Sequence, residues 1–172
     1  MLDQNFRDLM AGVCAPVAIV TTADADGPHG VTVSSLASLS LRPALLSIAL
    51  DRGSGVLTRI LETRRFGINV LHAGQDKLAL LFARRGADRF GNTSWSPAGG
   101  LPRLAEAAGW AECDLWQTVE AGDHLLLIGS ATHVESTPQP PLVYGYRTFG
   151  THSGFAVRPR KSITDHIAAC SR

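Results

Sequence analysis

Gly30-Val31-Thr32-Val33-Ser34-Ser35, continuing through Ser38-Leu39-Ser40-Leu41-Arg42-Pro43, combines strand-like residues with an unusual density of hydroxyls. A buried hydroxyl costs free energy unless it is hydrogen-bonded. The run is therefore expected either to lie half exposed with its hydroxyls toward water or to hold a polar, phosphate-bearing ligand. Strand side chains alternate, so Thr32 and Ser34 share one face while Val31, Val33 and Ser35 share the other. Ser35 can reach a ligand beside Thr32 and Ser34 only if the strand ends or bulges there.

Working outward, Pro16 to Thr22 is β-branched and apolar, and Ala23-Asp24-Ala25-Asp26-Gly27-Pro28 carries turn residues. With His29 to Leu36 returning, the two strands form a hairpin. Ala44 to Leu50, Phe66 to Leu71, Trp110 to Trp116, His124 to Glu135 and Pro141 to Tyr146 read as further strands, the last closing the set. Helical spacing appears at Phe6, Leu9 and Met10 within residues 3–11, at Val56, Leu57, Ile60 and Leu61 behind Ser54, and at Leu78, Leu81 and Phe82 behind Gln75 or Asp76. Residues 83–103 read as a long irregular connection, a kind of segment that is usually functional. Ile163 and Ile167 mark a short C-terminal helix candidate. Strands dominate without regular alternation with helices. The expected fold is mainly β, a closed or partly closed antiparallel barrel with short helices.

The 172 residues are 45% apolar and 18% charged, with a formal net charge of +1. That is a globular composition of about one domain, and it lacks the broad charge footprint of a nucleic-acid or membrane-surface protein. No apolar stretch is long enough to span a bilayer, and no signal peptide is visible at the N-terminus. Cys14, Cys113 and Cys170 form no Cys-x-x-Cys pair, and Cys14 and Cys113 read as small core residues. A reducing cytoplasm is the expected location. The six histidines are scattered and give no metal motif. P-loop and dinucleotide-fold glycine fingerprints are absent. Gly150-Thr151-His152-Ser153-Gly154 has the wrong spacing for a nucleophile elbow.

Several residues suit an anionic ligand. Ser54 opens a helix whose N–H groups and dipole attract phosphate. Arg89 can clamp a phosphate, and Phe90 beside it can cover a ring. The alternatives are a plain N-cap at Ser54 and a solvated charge cluster formed by Arg84, Arg85, Asp88 and Arg89. His124, in Gly122-Asp123-His124, opens a strand and is either a strand-edge histidine or a ligand-facing one.

Taken in order, Phe6-Arg7-Asp8-Leu9-Met10, Val17 to Thr22, Gly30 to Ser35, Ser38-Leu39-Ser40-Leu41 with Pro43, Asp51-Arg52-Gly53-Ser54 and Phe66 to Leu71 form a multi-part pattern. It continues through Gln75, Asp88-Arg89-Phe90, Gly99-Gly100-Leu101-Pro102, Glu112-Cys113, Gly122-Asp123-His124 and Pro141-Leu142-Val143-Tyr144. Over roughly residues 5–150 the chain resembles the flavin reductase-like family of small NAD(P)H:flavin oxidoreductases.

The resemblance implies a Greek-key FMN-binding split β-barrel over residues 1–156, with 157–172 as a tail. It implies that Thr32, Val33, Ser34 and Ser35 line the flavin site and that Ser38 lies close to it. Ser54 and Arg89 would hold the flavin phosphate, followed by Phe90, with Arg59 a further anion contact. His124 would lie near the nicotinamide, and Tyr144 or Tyr146 would wall that pocket. The implied cofactors are FMN or FAD, with NADH or NADPH as co-substrate. The implied partner is a separate monooxygenase component supplied with reduced flavin, and the implied assembly is a homodimer. Two alternatives stay open at this point: a flavin-binding barrel without reductase activity, and a split-barrel oxidase of a pyridoxamine-type substrate.

Overall fold

A computed structural model describes residues 1–152; the helix candidate at Ile163 and Ile167, Cys170 and the 157–172 tail lie outside the described residues. The chain runs through α1 (Leu2–Ala11), β1 (Ala15–Pro16), β2 (Ala18–Asp24), β3 (Gly27–Val33), β4 (Ala37–Leu41), β5 (Ala44–Asp51) and α2 (Gly55–Thr63). It continues with β6 (Arg65–Val70), α3 (Asp76–Ala83), β7 (Trp95–Ala98), β8 (Leu101–Leu104), β9 (Gly109–Ala121), β10 (His124–Ser136), β11 (Leu142–Gly145) and β12 (Thr148–Thr151).

Seven strands form one antiparallel sheet in the order β3-β2-β6-β9-β10-β5-β4. The sheet curls until the chain just after β3 meets β5, where the Ser35 hydroxyl donates to Ala49 O (3.1 Å) and accepts from Ala49 N–H (2.9 Å). This side-chain bridge stands in for a ladder between two strands that diverge, so the mainly β fold is a barrel with a split.

β2 shows why its sequence is apolar without alternation. Ala18 and Val20 face a core inside the barrel with Ile48, Ile60, Phe66 and Leu127. Val17 and Ile19 face a second core under α3 with Leu71, Phe82 and Leu104. A strand buried on both faces needs apolar residues throughout. β3 keeps the expected alternation: Val31 and Val33 pack on the inner core, while Thr32 faces α3. α2 seals one end of the barrel with Val56, Leu57 and Ile60. α3 inserts the fully buried Phe82, whose truncation to Ala would cost about 3–5 kcal/mol.

The structure corrects several expectations. Residues 83–103 are not wholly irregular, because β7 and β8 pair as a hairpin with Pro97 opposite Pro102. β3 ends at Val33 rather than Leu36, and the hydroxyl-rich continuation forms β4 against β5. The strand after Pro141 is not the last: Tyr146 and Arg147, both at positive φ, turn the chain into β12. Cys14 is exposed rather than in the core, because it precedes the short β1 at the rim of a small three-stranded sheet. Among the described residues no helix is long and apolar enough to cross a membrane.

Candidate functional site

A cavity of about 660 Å³ opens between the start of β3, the loop leading into α2 and the loop after α3. Ser54 stands at the N-cap of α2 with extended backbone, yet its side chain makes no cap hydrogen bond. An N-cap serine normally accepts from the N–H two or three residues on. Here that hydroxyl is left over, together with the first free N–H groups of the helix. Arg89 reaches in from the opposite loop. Its Nη1 donates to Gly30 O (2.5 Å) and its Nη2 to Arg84 O (2.7 Å), while Nε is buried with no partner. Burial lowers the Arg89 pKa from its ordinary value, but an arginine remains cationic at neutral pH.

Arg59 and Phe90 also border the cavity, each in a more structural role. Arg59 Nε lies 2.8 Å from His29 Nε2 and 3.0 Å from Asp24 Oδ2, so much of its charge is already answered by the carboxylate. The Asp24 carboxyl is held below its usual range chiefly by the hydrogen bond with His29, against the opposing effect of burial. Phe90 meets Phe82 and Trp95 edge to face, at 5.1 and 5.7 Å between centroids. These contacts anchor the loop that carries Arg89. Two carboxylates line the cavity, each turned to its own loop: Asp51 Oδ1 accepts from Gly53 N–H (2.7 Å) and Asp88 Oδ1 from Gly91 N–H (2.9 Å).

A second cavity of about 280 Å³ adjoins the first at Ala83 and is bordered by Thr32, Val33, Ser34, Tyr144 and Phe149. It is walled by apolar surface, with Tyr144 tilted on Phe149 at 5.2 Å. Thr32 Oγ1 donates to Ala79 O (2.7 Å) and thereby ties β3 to α3. Val33 has its side chain in the core. Ser34 is exposed, and its hydroxyl makes no hydrogen bond to the described residues.

The structure thus brings together Ser54, Arg59, Arg89 and Phe90 around one cavity, and Thr32, Val33, Ser34 and Tyr144 around its neighbour. It does not bring in the remaining three. Ser35 is taken up by the barrel bridge, and Ser38 is exposed on β4 opposite Leu46. His124 lies outside both linings, at the first position of β10, opposite Asp51 and Ala121. Its Nδ1 is 2.7 Å from Asp123 Oδ1, a bond that holds the Asp123 carboxyl low. Sequence reasoning missed the Asp24–His29–Arg59 group. The available signal was the hairpin register, which sets His29 opposite Thr22, two residues before Asp24.

Cys113 offers no nucleophile, since burial pushes its thiol up to about 12. Among the described residues no group of His, Cys, Asp and Glu is placed to hold a metal. What the site offers is anion binding beside an apolar slot.

The same fold recurs in known proteins. The family description "Flavin reductase like domain" matches residues 10–153. The NADPH flavin reductase of Lentzea aerocolonigenes is 39% identical over 149 residues, covering 84% of this chain and 87% of that protein. The NADH flavin reductase of Kitasatospora aureofaciens is 37% identical over 153 residues, covering 84% and 79%. Among solved structures, BorF, the flavin reductase component of a bacterial two-component tryptophan halogenase, matches with a TM-score of 0.80. It is 30% identical, over 87% of this chain and 97% of its own.

Proposed function

The chain belongs to the flavin reductase-like family, and from that premise we propose how its residues serve an NAD(P)H:flavin oxidoreductase. The activity is transfer of hydride from NADH or NADPH to FMN or FAD. The observation that carries the site is one cavity lined by both Ser54, whose hydroxyl caps nothing, and the cationic Arg89. A phosphate oxygen between them fits the donor set.

A flavin held there would supply the hydride-accepting chemistry, with the reduced nicotinamide as donor. The protein's part is to bind and orient. Ser54, Arg89 and the α2 N-terminus hold the phosphate, and Phe90 fixes the Arg89 loop. Arg59 adds a weaker, partly neutralised charge. Thr32, Val33, Ser34 and Tyr144 border the slot for the ribityl chain and ring edge, with Ser34 offering a free hydroxyl. Ser35, just after β3 and bonded to Ala49 of β5, and Ser38 on β4 support that edge from outside the two linings. His124 orients the nicotinamide from the strand end opposite Asp51.

The reduced flavin is handed to a separate monooxygenase component. The support is that relatives are reductase components of a flavin-dependent trigonelline monooxygenase and a 4-nitrophenol monooxygenase. A homodimer is the proposed assembly: α1 buries none of its residues and leaves Leu2, Phe6 and Leu9 exposed. The cytoplasm is the proposed location, where reduced nicotinamides and free thiols such as Cys14 and Cys113 persist. One domain over residues 1–156, with 157–172 as a tail, is in keeping with the family match.

The test is to mix the purified protein with FMN or FAD and NADH or NADPH and follow the nicotinamide absorbance. Flavin-dependent oxidation with at least one pair is expected. Flavin binding without oxidation by either nicotinamide would overturn the reductase reading and leave a flavin carrier.

A further inference from the structure

We propose that Arg85 contacts a second phosphoryl group, so that the larger cavity takes a flavin dinucleotide in preference to a mononucleotide. This rests on the reading of that cavity as the flavin-phosphate site. At about 660 Å³ the cavity lies in the range of pockets that enclose a whole small-molecule ligand, roughly 300–1,000 Å³. It is far larger than one phosphate group fills, and the apolar slot under Tyr144 is a separate cavity beside it. The space therefore exceeds what the end of a mononucleotide requires.

The cations divide in the same way. Three arginines line the cavity. Arg59 is answered by Asp24, and Arg89 grips two carbonyls beside Ser54. Arg85 lines the cavity, is exposed, and makes no hydrogen bond or ion pair with the described residues. It is followed by Gly86, which also lines the cavity and sits at φ +71°, a left-handed position that suits glycine. A terminal phosphate monoester concentrates its charge in one group. A diphosphate bridge spreads similar charge over two groups and continues into an adenosine. Arg89 with Ser54 answers the first group and Arg85 the second. The border at Pro28, His29 and Gly86 is left for the adenosine.

The discriminating experiment measures FMN and FAD dissociation constants for the wild type, Arg85→Ala and Arg85→Lys, together with the KM for NADH and NADPH. The wild type is expected to bind FAD more tightly than FMN. Arg85→Ala should weaken FAD about fivefold or more, the range of a partly exposed charge-assisted contact, while FMN stays within about twofold. Arg85→Lys should recover part of the FAD affinity, because charge without the guanidinium fork is a weaker phosphate contact. Unchanged FAD affinity would overturn the proposal. Equal losses for both flavins would overturn it too, by placing Arg85 at the common phosphate. So would a change confined to the KM of NADPH, which would assign the arginine to the nicotinamide's extra phosphate. A wild type that binds neither flavin sinks this proposal and the site reading together. Normal binding of both flavins with an inert Arg85→Ala sinks this proposal alone.

Discussion

Around Asn69, buried where β2, β6 and β8 cross, nearly every polar atom has a protein partner, whereas around Ser54, half-exposed at the start of α2, several have none. Asn69 Nδ2 donates to Ile19 O (3.2 Å) and Thr21 Oγ1 (3.3 Å), and its Oδ1 accepts from Leu104 N–H (2.7 Å). Thr21 Oγ1 in turn donates to Pro102 O (2.7 Å). The indole N–H of the neighbouring Trp110 is the exception. Packing there is equally tight: a Cβ on Gly67 would lie 2.3 Å from the Trp110 ring. Beside the cavity the Ser54 hydroxyl and the buried Arg89 Nε stay unanswered, and Arg85 lines it with no partner among the described residues. Groups that satisfy one another hold the fold together; groups left over in a cavity are available to a ligand. The same residue types serve both ends, so chemistry alone does not distinguish them.

The contrast predicts different failures. Asn69→Leu keeps the volume but strands the Leu104 N–H and removes the amide's bonds to Ile19 O and Thr21 Oγ1, which should lower the unfolding free energy by about 2–3 kcal/mol. Urea unfolding checks this, with flavin affinity per folded molecule unchanged; a loss below about 1 kcal/mol would erase the contrast from the structural side. Arg89→Ala should weaken flavin binding by about 1–3 kcal/mol, read by flavin fluorescence titration. Unaltered affinity would remove Arg89 from the site.

The smallest effect lies away from both regions. Glu135 accepts from Arg103 Nη2 (2.7 Å) and pairs with His133 Nε2 (2.9 Å), which holds its carboxyl at about 2. A depressed folded pKa adds stability above the unfolded value, near 4.3, and that stability is lost as pH falls toward the folded value. Unfolding midpoints of the wild type should therefore fall slightly more between those pH values than midpoints of Glu135→Gln. High salt should shrink the difference, since the trio is exposed. Flavin affinity should not move.

The hairpin of β2 and β3 was legible because its cause is local: an apolar run buried on both faces, a turn between Asp24 and Gly27, and a strict alternation through Thr32 and Val33. The helix starts at Ser54 and Gln75 were legible for the same reason. The β7–β8 hairpin was not, because Pro97, Gly99, Gly100 and Pro102 are loop residues by composition, and only the register of the folded chain sets the two prolines opposite each other. The hydroxyls of Thr32 and Ser35 were noticed but their employment was hidden. Their partners, Ala79 O and the Ala49 backbone, lie 47 and 14 residues away. Nor can a cluster containing Arg84, Arg85 and Arg89 reveal which guanidinium turns inward; that depends on Gly30 O.

Ser54→Ala tests the central claim most directly, because it removes an oxygen that the folded chain does not use. A capping serine replaced by alanine ordinarily costs about 1 kcal/mol of stability. Flavin titration and thermal unfolding of this variant, run side by side with the wild type, should show flavin affinity reduced by about five- to tenfold, the loss of one hydrogen bond to a charged phosphate, at an unchanged unfolding midpoint. Unchanged flavin affinity with a lowered midpoint would show that Ser54 is an ordinary helix cap and would contradict the account.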